Sequence, residues 1–144
     1  MIFIVAPWNC GKASVARRVE ADPLRQRAER SGRWAESLAA WYLRARFYRI
    51  LARRYRTPAG EVDLIARRGR TIVFVEVKQR PTETEAIEAV RPAARRRIAR
   101  AAEHWIASHP GALGFDRRFD VIAVLPGRGL RHLKAVFDVE GRPW

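Results

Sequence analysis

Apolar and polar positions alternate along this chain with two distinct periods, and the change between them marks out the elements. From Gly32 to Arg46, Trp34, Leu38, Trp41, Tyr42 and Ala45 recur at steps of three and four, the signature of an amphipathic helix. Phe47 to Tyr55 reads as a first strand. Two Val- and Ile-rich segments follow, Glu61 to Ala66 and Thr71 to Val77, separated by Arg67-Arg68-Gly69-Arg70 in the manner of a hairpin. Thr82 to Val90 predicts a helical turn or two, and Pro92 opens a longer helix to about Ser108 with Ala94, Ile98, Ala101, Ala102, Trp105 and Ile106 as its inner stripe. His109-Pro110-Gly111 ends that helix. Phe119 to Leu125 reads as a buried strand, Pro126-Gly127 as a turn, and Leu133 to Phe137 as a last strand. The order implies an α/β domain with a mixed central sheet flanked by helices. Residues 1–31 lack sustained apolar periodicity and read as an extension, leaving 32–144 as the domain.

Charge changes the picture next. Lysine and arginine number 29 against 15 acidic residues, a net charge of +14 in 144 residues, and most of the cations are arginine, which grips phosphate bidentately. The excess points to a polyanionic partner, nucleic acid first and an anionic membrane surface second. The apolar start, Met1 to Ala6, is too short for a signal peptide or a membrane span, so a cytoplasmic location without a membrane partner is the expectation. A lone cysteine, Cys10, cannot close an internal disulfide, and no Cys/His cluster has zinc-ligand spacing.

Against this basic background the acids of the hairpin stand out. Glu61 and Asp63 lie in one strand, and Glu76 and Lys78 in the next, each pair two residues apart and so on one face. A turn around Arg68-Gly69 with residue 66 opposite 71 places Glu61 opposite Glu76 and Asp63 one diagonal step away. Carboxylates so close raise one another's pKa unless a cation or proton lies between them, and a hard divalent ion such as Mg2+ suits oxygen ligands of this kind. The plain alternative is an exposed cross-strand ion-pair surface, which is what an isolated Glu-x-Lys usually is.

The segment Gly60-Glu61-Val62-Asp63-Leu64-Ile65-Ala66 with Val73-Phe74-Val75-Glu76-Val77-Lys78-Gln79-Arg80 resembles the signature of the YraN family of uncharacterised bacterial proteins, which is similar to archaeal Holliday-junction resolvases. The resemblance extends over about residues 32–138 and takes in Gly32, Ala35, Glu36 and Leu43, then Glu88-Ala89-Val90, then Arg118-Phe119-Asp120-Val121-Ile122. It implies the PD-(D/E)xK, restriction-endonuclease-like nuclease fold and Mg2+- or Mn2+-dependent hydrolysis of DNA phosphodiester bonds, with branched DNA as a candidate substrate. By that resemblance Asp63 and Glu76 are metal ligands and Lys78 is the catalytic lysine. Glu36 is the helix-borne acid that joins them, Glu61 an accessory acid, and Gln79 a supporting polar residue. Val62 stands where the superfamily has proline, and Arg95, Arg96 and Arg97 where relatives often carry lysine. Resolvases of this fold act as symmetric dimers, so a homodimer is a candidate assembly.

Arg91, Arg95, Arg96, Arg97 and Arg100 lie on the outer part of the second long helix, suited to phosphate contact or simply to a solvated face. Ala6-x4-Gly11-Lys12 has the outline of a phosphate-binding loop, but Ala6 and Ala13 replace the glycine and the hydroxyl that such a loop needs. Trp8, Trp34, Trp41, Trp105 and Trp144 could stack on unpaired bases, but Trp34, Trp41 and Trp105 lie on apolar stripes and are assigned to the core. His104, His109 and His132 are scattered and receive no catalytic role. Three readings remain at this point: a metal-dependent endonuclease, a catalytically inactive DNA-binding module of recombination or repair, and a structural domain with no polyanionic partner.

Overall fold

A computed structural model describes residues 22–143; the Ala6–Lys12 loop, Cys10, Trp8 and Trp144 lie outside them. Helix α1 spans Pro23–Ala45, with Pro23 in its first turn and the Asp22 carboxylate accepting the Leu24 N–H at 3.0 Å as N-cap. It therefore begins nine residues before Gly32, inside the stretch that lacks apolar periodicity. Polar residues form that first part because a capped, proline-started helix needs no buried stripe until it reaches the sheet.

Strands β1 (Arg49–Thr57), β2 (Gly60–Arg68) and β3 (Thr71–Gln79) follow as an antiparallel meander. Helices α2 (Glu83–Glu88) and α3 (Pro92–Ala107) carry the chain across to β4 (Asp116–Leu125), which pairs parallel with β3, and β5 (Gly129–Phe137) closes the sheet antiparallel to β4. The sheet order is β1-β2-β3-β4-β5. This is the mixed α/β sheet flanked by helices that the sequence predicts, and it fits a restriction-endonuclease-like arrangement.

The two faces of the sheet are packed differently. Against α3 lie Val62, Ile65, Ile72 and Phe74 with Ile98, Ala102 and Trp105, extended by Phe119 and Phe137. Phe74, Phe119 and Phe137 stack in a row at 5.5 and 5.0 Å between ring centroids. Against α1 lie Leu64, Val73, Val75 and Ile122, which meet Ala35, Ala39, Ala40 and Leu43. The tryptophans assigned to this core are not in it: Trp34 is 57% exposed and Trp41 70%, whereas Trp105 is buried as expected. The cause is steric. Two apolar stripes run along α1, and the one built of alanines lets the helix lie closest to the sheet, which turns the tryptophan stripe to solvent.

The β2–β3 hairpin also differs in register from the expectation. Arg68 pairs with Thr71 and Ala66 with Val73, because Gly69, at φ 58°, closes a two-residue turn with Arg70. The shift is two residues, so every side chain keeps its face. Continued along the strands, this register brings Asp63, rather than Glu61, opposite Glu76. Among the described residues no helix is long and apolar enough to cross a membrane.

Candidate active site at the end of the sheet

Regular β2–β3 pairing stops at Leu64–Val75, and the reason is the next residue. The Asp63 carboxylate takes the Val77 N–H onto Oδ2 at 2.8 Å, replacing a ladder bond with a side-chain bond. That bond pins Asp63 near Glu76, close enough for each carboxyl to bear on the ionisation of the other. Lys78, two residues along the same strand, reaches back to put its Nζ 2.6 Å from Oε1 of Glu76. Asp63, Glu76 and Lys78 are all partly buried, so their charges interact with little screening.

Burial sets the protonation of this group. It pushes the Glu76 carboxyl up to about 7, with the charge of Asp63 adding to the rise and Lys78 opposing it. Asp63 is also raised, again by burial first, with Glu61 adding and the Val77 N–H and Lys78 opposing. The pair thus holds a proton into the neutral range because two adjacent carboxylates resist ionising together.

Glu36 approaches from α1. It is 8% exposed, and its carboxyl is raised by burial and by the charge of Asp63, with Arg54 pulling it back down. Arg54 Nε lies 2.9 Å from Glu36 Oε2, so the acid expected to complete the metal set is held by a guanidinium. Arg54 reaches it from a left-handed backbone conformation, φ 50°, inside β1. Glu61 is exposed and pairs with Arg56 at 3.5 Å. It nonetheless lines, with Glu76 and Arg97, a narrow cleft of about 40 Å³ closed by Ala94 and Ile98 of α3. Gln79 points to the other side and accepts from the Ser31 hydroxyl at 2.6 Å. The chain thus brings Asp63, Glu76 and Lys78 together, with Glu36 and Glu61 at the margins and each engaged by an arginine.

The donor set suits a hard cation. Mg2+ is commonly held by one or two carboxylates with water and substrate phosphate completing its shell, which is what Asp63 and Glu76 offer. No group of three Asp, Glu, His or Cys side chains forms a ready-made cation cage among the described residues.

Of the five arginines singled out on α3, Arg91, Arg96, Arg97 and Arg100 are exposed, while Arg95 is part-buried and donates from Nε to the Val90 carbonyl at 2.7 Å. Arg95 therefore ties α3 to the end of α2. Two features of the neighbourhood are not apparent from pattern alone. Gly60 leaves the room that α3 occupies, since a Cβ there would lie 2.0 Å from the Arg97 carbonyl oxygen. Asp120 is fully buried beneath β5, accepting from Arg118 Nε and Nη2 at 2.8 Å each, from the Ala135 N–H at 2.9 Å, and paired with His132 Nε2 at 2.8 Å. His132 is thus structural, as are the exposed His104 bonded to Tyr55 and His109 stacked on Trp105.

Residues 35–124, which hold every one of these acids and Lys78, match the family model described as uncharacterised protein family UPF0102. The chain is 50% identical over 118 residues to the UPF0102 protein bll0669 of Bradyrhizobium diazoefficiens, covering 82% of this chain and 89% of that one. It is 50% identical to the UPF0102 protein of a Chelativorans species, covering 82% and 95%, and 48% identical to that of Methylorubrum extorquens, covering 86% and 98%. The YraN resemblance of the hairpin signature is consistent with these matches. A family match over most of the sheet, and relatives aligned over nearly their whole length, make this chain a member of uncharacterised protein family UPF0102.

Proposed function

We propose that this protein is a metal-dependent endonuclease that hydrolyses DNA phosphodiester bonds at the end of its sheet. The observation that carries the reading is the partly buried Asp63–Glu76 pair with Lys78 beside it. Asp63 and Glu76 would hold a Mg2+ or Mn2+ ion, with Glu36 and Glu61 as accessory acids. The chemistry the ion supplies when bound is polarisation of a phosphoryl oxygen and activation of water. The Val77 N–H fixes Asp63 in place. Lys78, whose ammonium lies beside Glu76, would offer its charge to the negative charge that develops on the phosphorus oxygens. Arg97, at the cleft that holds Glu61 and Glu76, supplies a second positive group for backbone phosphate.

A second reading, a DNA-binding module without turnover, is favoured by one observation: Arg54 holds Glu36 and Lys78 holds Glu76. Cleavage of labelled junction, flap, single-stranded and duplex DNA, with Mg2+ or Mn2+ against chelator, separates the two. The expected result is metal-dependent cutting that falls at least about a hundredfold in a folded Asp63→Ala, Glu76→Ala variant. DNA binding without cutting by either chain selects the binding module.

A further inference from the structure

We propose that the outer face of α1 is a stacking platform for a single-stranded segment of DNA and leads that strand toward Lys78. The inference rests on the nuclease reading and deepens it by naming the form of DNA that the protein grips. The stripe opposite the buried alanines carries Arg27, Arg30, Trp34 and Trp41 in helical order. Trp34 and Trp41 are 57% and 70% exposed, and Phe47, just past the helix, is 86% exposed. Large aromatic rings left in water at the surface of one helix are a binding feature rather than a packing one.

Phe47 strengthens the case by its backbone. It closes α1 with its own N–H on the Arg44 carbonyl at 2.9 Å and the Tyr48 N–H on the Leu43 carbonyl at 3.0 Å. This is the helix end at which glycine is usual, because the closing residue has positive φ, here 65°. A bulky ring at that position carries a conformational cost that glycine would avoid, and it contributes nothing to the core in return.

Charge selects the occupant. Among the described residues, Arg27, Arg30 and Arg44 form no ion pair, and Arg46 lies over the Tyr42 ring at 5.1 Å. The acids of α1 are already matched, Glu29 by Arg25 and Arg33, and Glu36 by Arg54. A second copy of the chain would set arginine against arginine on this face, whereas a phosphate backbone meets them. Rings between arginines grip unpaired bases, whose faces are open; a duplex offers no such faces. The seven-residue step from Trp34 to Trp41 spans about 10 Å of helix, or about three stacked bases at ~3.4 Å each.

The platform also leads somewhere. One turn before Trp34, Ser31 and Gly32 line an open cleft of about 460 Å³ whose other wall is Lys78, Gln79 and Arg80. A strand lying on the tryptophans and passing Arg30 enters this cleft at the end of β3.

The test is binding of short labelled oligothymidine and of a blunt duplex to the full chain in chelator, where no cutting interferes. Trp34→Ala and Trp41→Ala should each weaken oligothymidine binding about tenfold and leave duplex binding unchanged, with Trp→Phe at either site restoring most of the loss. Unchanged oligothymidine binding in the double alanine variant overturns the proposal, as does an equal loss on duplex. So does a native chain that is dimeric by light scattering and becomes monomeric in the variant, which would assign the face to self-association. Cutting lost in the Asp63→Ala, Glu76→Ala variant with oligothymidine binding kept distinguishes failure of the catalytic site from failure of the platform.

Discussion

Glu76 is the residue whose protonation the fold shifts furthest toward neutral pH, and that protonation makes a measurable difference to stability. Its carboxyl ionises at about 7 in the folded chain against an ordinary value of 4.5. Between those values the folded state holds a proton that the unfolded state has lost, so this group's contribution to stability falls as pH rises through the window. On the proposed reading a divalent cation would replace that proton. The expected outcome is a rise in Tm on adding Mn2+ that is small near about pH 5 and grows toward about pH 8, and that disappears in Glu76→Gln. Thermal scans across this range check it; equal increments in native and variant chains would show that no cation sits at Glu76. The acids themselves were readable from spacing, because a strand's period of two puts Asp63, Glu76 and Lys78 on one patch in any even register. Arg54 was not, since its reach to Glu36 depends on a positive φ that an arginine gives no reason to expect. Gly60 belongs to the hairpin signature, but its need for zero side-chain volume appears only once α3 lies against it.

Among the elements, the β4–β5 pair depends on one buried carboxylate. Burial alone would push Asp120 up, but bonds from His132, Arg118 and the Ala135 N–H outweigh it and hold the carboxyl below its ordinary value. A depressed acid contributes stability above its unfolded pKa and loses it as pH falls through the folded one, so this clamp releases only in acid, below about pH 4. Asp120→Ala leaves the Arg118 charge and the Ala135 N–H without their acceptor, and denaturant unfolding should show a loss of about 3–5 kcal/mol; a loss under about 1 kcal/mol would mean that water substitutes fully. The Arg-Phe-Asp sequence showed where the strand lay and holds one partner, Arg118, but His132 and Ala135 lie twelve and fifteen positions away, and Tyr48, which accepts from Arg118, lies between α1 and β1. Helix α1 shows the same limit from the other side. Its apolar stripe was legible, yet the sequence holds two stripes, and only the sheet's demand for small residues decides which is inside.

At the scale of the whole molecule, the alternation of strand and helix signals was enough for the sheet, because the long α2–α3 crossover between β3 and β4 leaves a parallel pair as the natural outcome. The charge was legible too, but not its distribution over two separate faces, α1 and α3. On the proposed reading, DNA affinity should fall with salt, and changing Arg91, Arg96, Arg97 and Arg100 together to glutamine should lower the slope of log K against log salt by about 0.9 for each duplex phosphate released. An unchanged slope would mean that α3 faces solvent and nothing more. The topology has a consequence for how the chain is made. β3 lies in the middle of the sheet, yet its neighbour on one side, β4, is synthesised only after both crossover helices, so Thr71 waits for Asp116. The β1–β3 meander is local and can close early; the parallel pairing needs a long loop to close and sets the pace of folding. Until it does, the apolar run Ile72-Val73-Phe74-Val75 presents an open strand edge, and the strand that carries Glu76 and Lys78 is for that interval also the part of the nascent chain most open to mispairing with another copy.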